Sequence, residues 1–267
     1  MPITRTYYKV HRVFPDPDYF YLENISGSNT QFYVEKTGTP ASTDLSYSLD
    51  KVTWTDIHNG GTVSNIAAGA KVYLRSSTGL NTTGSNYYKI GFNHECNAGG
   101  HIATLFNYTN TSAVTSIPDY GLFYLFYGSG IVHANIDFYG IKNLGYGSCW
   151  YMFTGSRFLI SVPDFSGIET LDRQSLYSMC QNCSSLMTPL DLSGVTSCGD
   201  QALTQLYRGC TLLTEAIAPN FSVWSTGWTS SWLMDTASTG VVRKPAGLTI
   251  PTNTNDGIPT GWTTEDY

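Results

Sequence analysis

Four groups of residues in this chain have the types and spacing that chemistry would need. Cys180-Gln181-Asn182-Cys183 is a CxxC pair, the spacing of zinc sites and redox dithiols. A structural zinc takes about four ligands, and neither a second CxxC nor a paired histidine stands nearby, so no metal is expected there. His94-x-Cys96 with His101 puts three soft donors on one stretch. In a polar linker these read as loop side chains rather than as zinc ligands. Asp137, Asp164 and Asp191 recur every 27 residues, each three residues before a glycine. Stacked carboxylates about 5 Å apart would either share a cation or be solvated. An Asp that accepts the backbone N–H two residues on, with Gly supplying positive φ, explains them without a metal. Phe123, Trp150 and Tyr177 recur at the same interval, followed by Thr204. Such a ladder takes a sugar face or a protein partner, or else its rings simply pack on one another. These three are the candidate ligand-binding residues. No Ser-His-Asp order, nucleophile elbow, phosphate loop or carboxylate pair for glycoside chemistry stands out. The expectation is therefore a non-enzyme, with no catalytic residue, no metal site and no cofactor.

The elements that must position these residues follow the same period. Gly128, Gly155, Asn182 and Gly209 lie 27 residues apart. Leu125, Met152, Met179 and Leu206 stand three before them, and Leu122, Cys149, Leu176 and Leu203 six before. Phe126, Phe153, Cys180 and Tyr207 stand two before. Apolar positions at i, i+3 and i+4 describe one face of about two helical turns. The segments around Val162–Phe165 and Pro189–Leu192 suit short strands. One helix and one strand per unit, at a period in the twenties, is the plan of a solenoid.

Residues 19–93 read as β. Phe20–Leu22, Gln31–Glu35, Leu45–Leu49, Val52–Ile57, Lys71–Arg75 and Tyr87–Phe92 are aromatic, β-branched or alternating runs separated by turn residues. Ser48, Asp50 and Trp54 resemble the Asp-box hairpin of glycosidase propellers, one residue too short, and are read as a turn. Residues 1–18 form an extended arm, because Pro15 and Pro17 forbid a helix. The fold expectation is mixed α and β: arm 1–18, a small β-sandwich and connector over 19–110, then a short leucine-rich-repeat-like solenoid of period 27 with a C-terminal cap over 111–267.

Charged residues are 13% of the chain, about half the usual share, and the surface is filled by Gly, Ser, Thr, Asn and Tyr instead. A net charge of −6 argues against a nucleic-acid partner, which needs a basic stripe. The six cysteines allow three disulfides, but four of them fall in core or near-core slots of the repeat and read as small buried hydrophobes. Met1 to Thr6 carries no apolar stretch, so no secretory leader is expected, and no window suits a membrane span.

The repeat Cys149-Trp150-Tyr151-Met152-Phe153-Thr154-Gly155 resembles that of BspA-like leucine-rich-repeat surface proteins of Bacteroidetes and their phages. Asn182-Cys183-Ser184-Ser185-Leu186 is similar to that family's Gly-Cys-Thr-Ser-Leu. Leu45 to Asp50 with Trp54, Ala67 to Val72, and Asp256 to Trp262 resemble its preceding β-domain and its C-terminal cap. The resemblance covers about residues 30–262 and implies a surface protein that binds proteins, matrix or glycans. With no leader expected, the function that follows is a non-catalytic phage virion surface protein, of decoration or fibre type. It would bind host glycans or neighbouring virion subunits, be held to other subunits through the arm and sandwich, and be present in many copies. The alternative is a bacterial cell-surface adhesin, and a less favoured one a glycan-acting enzyme.

Overall fold

The computed structural model describes residues 19–38, 44–80, 82–253 and 255–267. The expected arm, 1–18, lies outside the described residues. The N-terminal strands are β1 (Phe20–Asn24), β2 (Thr30–Thr37), β3 (Ser46–Ser48), β4 (Thr55–Asp56), β5 (Gly61–Ile66), β6 (Lys71–Arg75), β7 (Tyr87–Phe92) and β8 (Cys96–His101). A four-residue helix, α1 (Thr104–Asn107), follows. The rest of the chain carries β9 (Ser116–Ile117), β10 (Ile131–Asp137), β11 (Asn143–Leu144), β12 (Thr170–Leu171), β13 (Ser197–Cys198), β14 (Glu215–Ile217), β15 (Gly240–Lys244) and β16 (Trp262–Asp266).

Strict alternation in β1 and in the first half of β2 buries Phe20, Leu22, Phe32 and Val34 and turns the intervening residues outward. β1 sits between β6 and β8 in a six-stranded sheet ordered β10-β8-β1-β6-β3-β4, and β2 sits between β5 and β7 in a second sheet. The pairings are antiparallel except at β10, which joins β8 in parallel. One sheet therefore holds strands from both sides of residue 110. The junction is close: a Cβ at Gly130 would lie 2.5 Å from the His94 carbonyl oxygen, and the Cys96 N–H bonds the Gly130 carbonyl at 3.0 Å. A single apolar cluster runs from Phe20 to Trp262.

From β9 onward the 27-residue period appears as a pairing offset. β9, β11, β12 and β13 form a parallel ladder in which Ser116, Asn143, Thr170 and Ser197 are successive partners. The strands expected at Val162–Phe165 and Pro189–Leu192 are not there; a single bridge, His133 to Ser161, marks that side. The chain ends in a parallel sheet β14-β15-β16. Its flank is tied down by indole N–H groups: Trp224 donates to the Asp256 carbonyl and Trp232 to the Gly257 carbonyl. Among the described residues no helix is long and apolar enough to cross a membrane.

The expected fold class is corrected. Among the described residues 4% are helical and 31% are strand, in several sheets of which none closes, rather than a mixed α and β fold of a small β-sandwich followed by a leucine-rich-repeat-like solenoid. The physical reason lies in the runs that carry the i, i+3, i+4 pattern. Each run is a chain of tight turns with a left-handed residue every fourth position: Tyr120, Tyr124 and Gly128; Gly147, Tyr151 and Gly155; Gln174, Ser178 and Asn182; Gln201, Gln205 and Gly209. An α-helix requires negative φ throughout. Alternate amides reach the next unit instead, as Leu122 to the Ser148 carbonyl at 2.7 Å and Phe126 to the Met152 carbonyl at 2.9 Å. The amides between them close i to i−3 turns, as Phe123 to Tyr120 at 3.0 Å. A repeat of four residues buries nearly the same positions as a period of 3.6, so the apolar pattern cannot tell the two apart over so short a run.

Candidate functional site

Phe123, Trp150 and Tyr177 occupy successive turn runs, one residue after Leu122, Cys149 and Leu176, whose side chains are fully buried. The structure brings the three together. The rings of Phe123 and Trp150 lie 5.7 Å apart at 67°, and those of Trp150 and Tyr177 lie 5.2 Å apart at 62°. Phe123 is only 6% exposed, while Trp150 and Tyr177 are half-buried. Packing and partial exposure therefore coexist, with Phe123 as the floor.

The face is wider than the ladder. Tyr124 and Tyr151 hold the left-handed position beside it, 5.1 Å apart. Tyr87, from β7, stacks on Tyr124 at 4.8 Å, and Tyr127 stacks on it at 4.7 Å. Trp150 lies nearly parallel to Tyr151 at 5.4 Å and to Tyr120 at 6.5 Å, and Tyr146 meets Tyr120 edge-on at 5.0 Å. Nine rings thus form one connected surface, joined to the N-terminal sheets through Tyr87. The 27-residue spacing of Tyr124 and Tyr151 was a usable signal for two of the added rings. Tyr87 carries none, because its place depends on how β7 packs against the first unit.

The surface ends where the aromatic residues give way to amides and hydroxyls. The Gln174 side-chain N–H donates to the Gln201 side-chain oxygen at 2.6 Å, and the Ser178 hydroxyl donates to Gln205 at 3.1 Å. The face is electrically neutral. Burial first, then the neighbouring phenols Tyr151, Tyr127 and Tyr87, push the Tyr124 hydroxyl up to about 12. Burial and the Tyr146 hydroxyl do the same for Tyr120. Charge enters at the rim, where Arg173 lies 6.0 Å from the Tyr146 ring centre and 3.9 Å from Asp200. The Trp150 indole N–H is buried without a hydrogen-bond partner among the described residues, a cost of about 1–3 kcal/mol for such a group.

The other sequence candidates are structural. The Asp137, Asp164 and Asp191 carboxylates accept the N–H of Tyr139, Ser166 and Ser193, each two residues on, at 2.8, 2.8 and 3.0 Å. Cys180 and Cys183 are buried and free, and the Cys183 thiol donates to the Phe153 carbonyl at 3.1 Å. His94, Cys96 and His101 do not converge: Cys96 is in the core, His94 is exposed, and His101 lies against Asp137. Among the described residues no three His, Cys, Asp or Glu side chains are grouped to hold a metal ion. Asp50 accepts the Val52 and Thr53 amides at 2.8 and 2.7 Å, a turn as its sequence indicates.

Compared with known proteins, the chain matches no protein-family model, no curated protein and no solved structure.

Proposed function

We propose that this chain is a non-catalytic surface protein of a phage particle, and that its aromatic face is the contact it makes with a neighbouring virion subunit. The observation that carries the reading is the state of the ring faces. Tyr124 takes stacked rings from both Tyr87 and Tyr127, and Trp150 is matched by Tyr151 and Tyr120. A sugar needs an open ring face to stack on. Tyr124 and Trp150 already carry other rings against their faces. Rigid, neutral, tyrosine-rich surfaces of this kind suit a protein partner, because tyrosine buries a large area for little loss of side-chain freedom.

The virion assignment draws on the family resemblance of the repeats and on the low charge of the chain. Many copies on a particle would strengthen weak single contacts by avidity. The test is quantitative mass spectrometry of purified particles. A copy number in a fixed ratio to a known structural subunit supports the proposal. Absence from particles, with the chain found on the bacterial envelope, overturns it in favour of a cell-surface adhesin.

A further inference from the structure

A concavity separate from the aromatic face opens where the N-terminal sheets meet the first two 27-residue units. It encloses about 750 Å³ and is lined from one side by Tyr33, His94 and Glu95, and from the other by Gly155, Arg157 and Phe158. Its walls come together because β10 pairs with β8 and because Gly130 has no side chain to keep the His94 loop away.

Three properties of this cleft define what fits it. Phe158 is 53% exposed and makes no ring contact among the described residues, so its face is open, unlike those of Tyr124 and Trp150. It has no counterpart in the neighbouring units: the 27-residue equivalents are Ile131, buried in β10, and Ser185. The planar polar groups of His94, Glu95 and Arg157 have no side-chain hydrogen bond or ion pair among the described residues. Glu35, also in the lining, is partnered by Lys89 at 3.5 Å. Both signs of charge therefore face one opening beside an open aromatic ring.

We propose that this cleft binds a neutral saccharide, with Phe158 stacked on a pyranose face and Arg157, Glu95 and His94 hydrogen-bonded to its hydroxyls. Guanidinium, carboxylate and imidazole groups present donors and acceptors in a plane, the geometry that adjacent ring hydroxyls need. A strongly anionic ligand would meet Glu35 and Glu95. A purely apolar ligand would strip water from Arg157, Glu95 and His94 without replacing their hydrogen bonds. The volume lies within the usual range for small-ligand sites, roughly 300–1,000 Å³.

The inference does not depend on the aromatic face, and the experiment separates the two. The full chain is run by affinity electrophoresis in gels containing glucan, mannan, galactan or xylan, with polygalacturonate as the acidic comparison. At least one neutral polysaccharide is expected to retard it. Phe158 and Arg157 are both exposed, so Phe158→Ala and Arg157→Ala should leave the melting temperature unchanged. Each should weaken retardation by about tenfold, the loss of roughly one good contact, while Tyr127→Ala on the aromatic face leaves it unaltered. No retardation by any neutral polysaccharide, or retardation by polygalacturonate alone, overturns the proposal. So does retardation that Tyr127→Ala abolishes and Phe158→Ala does not.

Discussion

Replacing Gln205 by glycine and, separately, by alanine distinguishes a run of turns from a helix by the sign of a single difference. Gln205 lies in the middle of the fourth run at φ +55° and accepts a hydrogen bond from the Ser178 hydroxyl at 3.1 Å. Both substitutions remove that bond, so comparing them isolates the backbone. Holding a non-glycine residue in the left-handed region costs about 1–2 kcal/mol. The greater freedom of glycine in the unfolded chain offsets about 0.4–1 kcal/mol of the advantage it gains there. The glycine variant should therefore be the more stable of the two, by about 0.5–1 kcal/mol. In a helix interior glycine would instead be the less stable by about 0.5–1 kcal/mol. Urea titration of both variants reads the difference as a shift in midpoint at constant slope, and thermal melts should agree, at about 2–4 °C per kcal/mol. A Q205G protein less stable than Q205A would refute the left-handed turns and restore the helical reading. The same comparison at Gln201, φ +58°, should have the same sign.

Other outcomes follow from local geometry. Gly100 sits at φ +79°, and a Cβ there would lie 2.2 Å from the Tyr19 carbonyl oxygen. Gly100→Ala should cost more than about 2 kcal/mol in denaturant titration, combining backbone strain with a clash against main chain; a loss under about 0.5 kcal/mol would contradict the pairing around β8. Asp44 receives hydrogen bonds from the Ser76 hydroxyl at 2.6 Å and the Ser77 amide at 2.8 Å. Burial works to raise its pKa, but these bonds from Ser76, Ser77 and Thr78 outweigh it and hold the carboxyl well below the usual range. The unfolded chain thus binds the proton first, so this contribution is complete above the ordinary value of 3.8 and is lost as pH falls from there through the folded value. Asp44→Asn should flatten the acid limb of a pH–stability curve, and an unchanged limb would rule Asp44 out as its source. Burial pushes the Cys149 and Cys210 thiols up to about 12 and raises those of Cys180 and Cys183 well above the ordinary thiol value. Iodoacetamide at pH 8 should leave these four unmodified in the native protein and alkylate all six cysteines after unfolding. Rapid native labelling of Cys180 or Cys183 would contradict the packing.

Several strands were legible because their side chains announce them. Lys71–Arg75 and Tyr87–Phe92 match β6 and β7 end to end, and the alternation of β1 and β2 follows from aromatic and aliphatic residues at every second place. β8 was not legible. Its sequence, Cys-Asn-Ala-Gly-Gly-His, lacks the β-branched and aromatic residues that mark strands, yet it lies between β1 and β10. Small residues are used there partly because the Tyr21 ring crosses Gly99, where a Cβ would come within 2.6 Å of the tyrosine oxygen. Reading that stretch as a linker is also what made His94, Cys96 and His101 look like a ligand set. The 27-residue period was visible and reappears as the offset between β11, β12 and β13, while the local conformation within it was not, because turns of four residues imitate a helical stripe. The ladder Phe123, Trp150, Tyr177 was found by spacing alone. Whether its rings were covered or open depended on Tyr87, Tyr120 and Tyr127, which fall outside any repeat pattern that joins them to it.

The claim that the aromatic face is a contact with another virion subunit can be tested by hydroxyl-radical footprinting of the free chain against the same chain in purified particles. Tyr127, 39% exposed on the face, and the half-buried Tyr124 and Tyr151 are the reporters. Tyr139, 68% exposed and in no ring contact with the face, is the internal control. The account predicts that Tyr124, Tyr127 and Tyr151 become protected in particles while Tyr139 stays as reactive as before. Equal reactivity of the face in the free and particle-bound chain would contradict it.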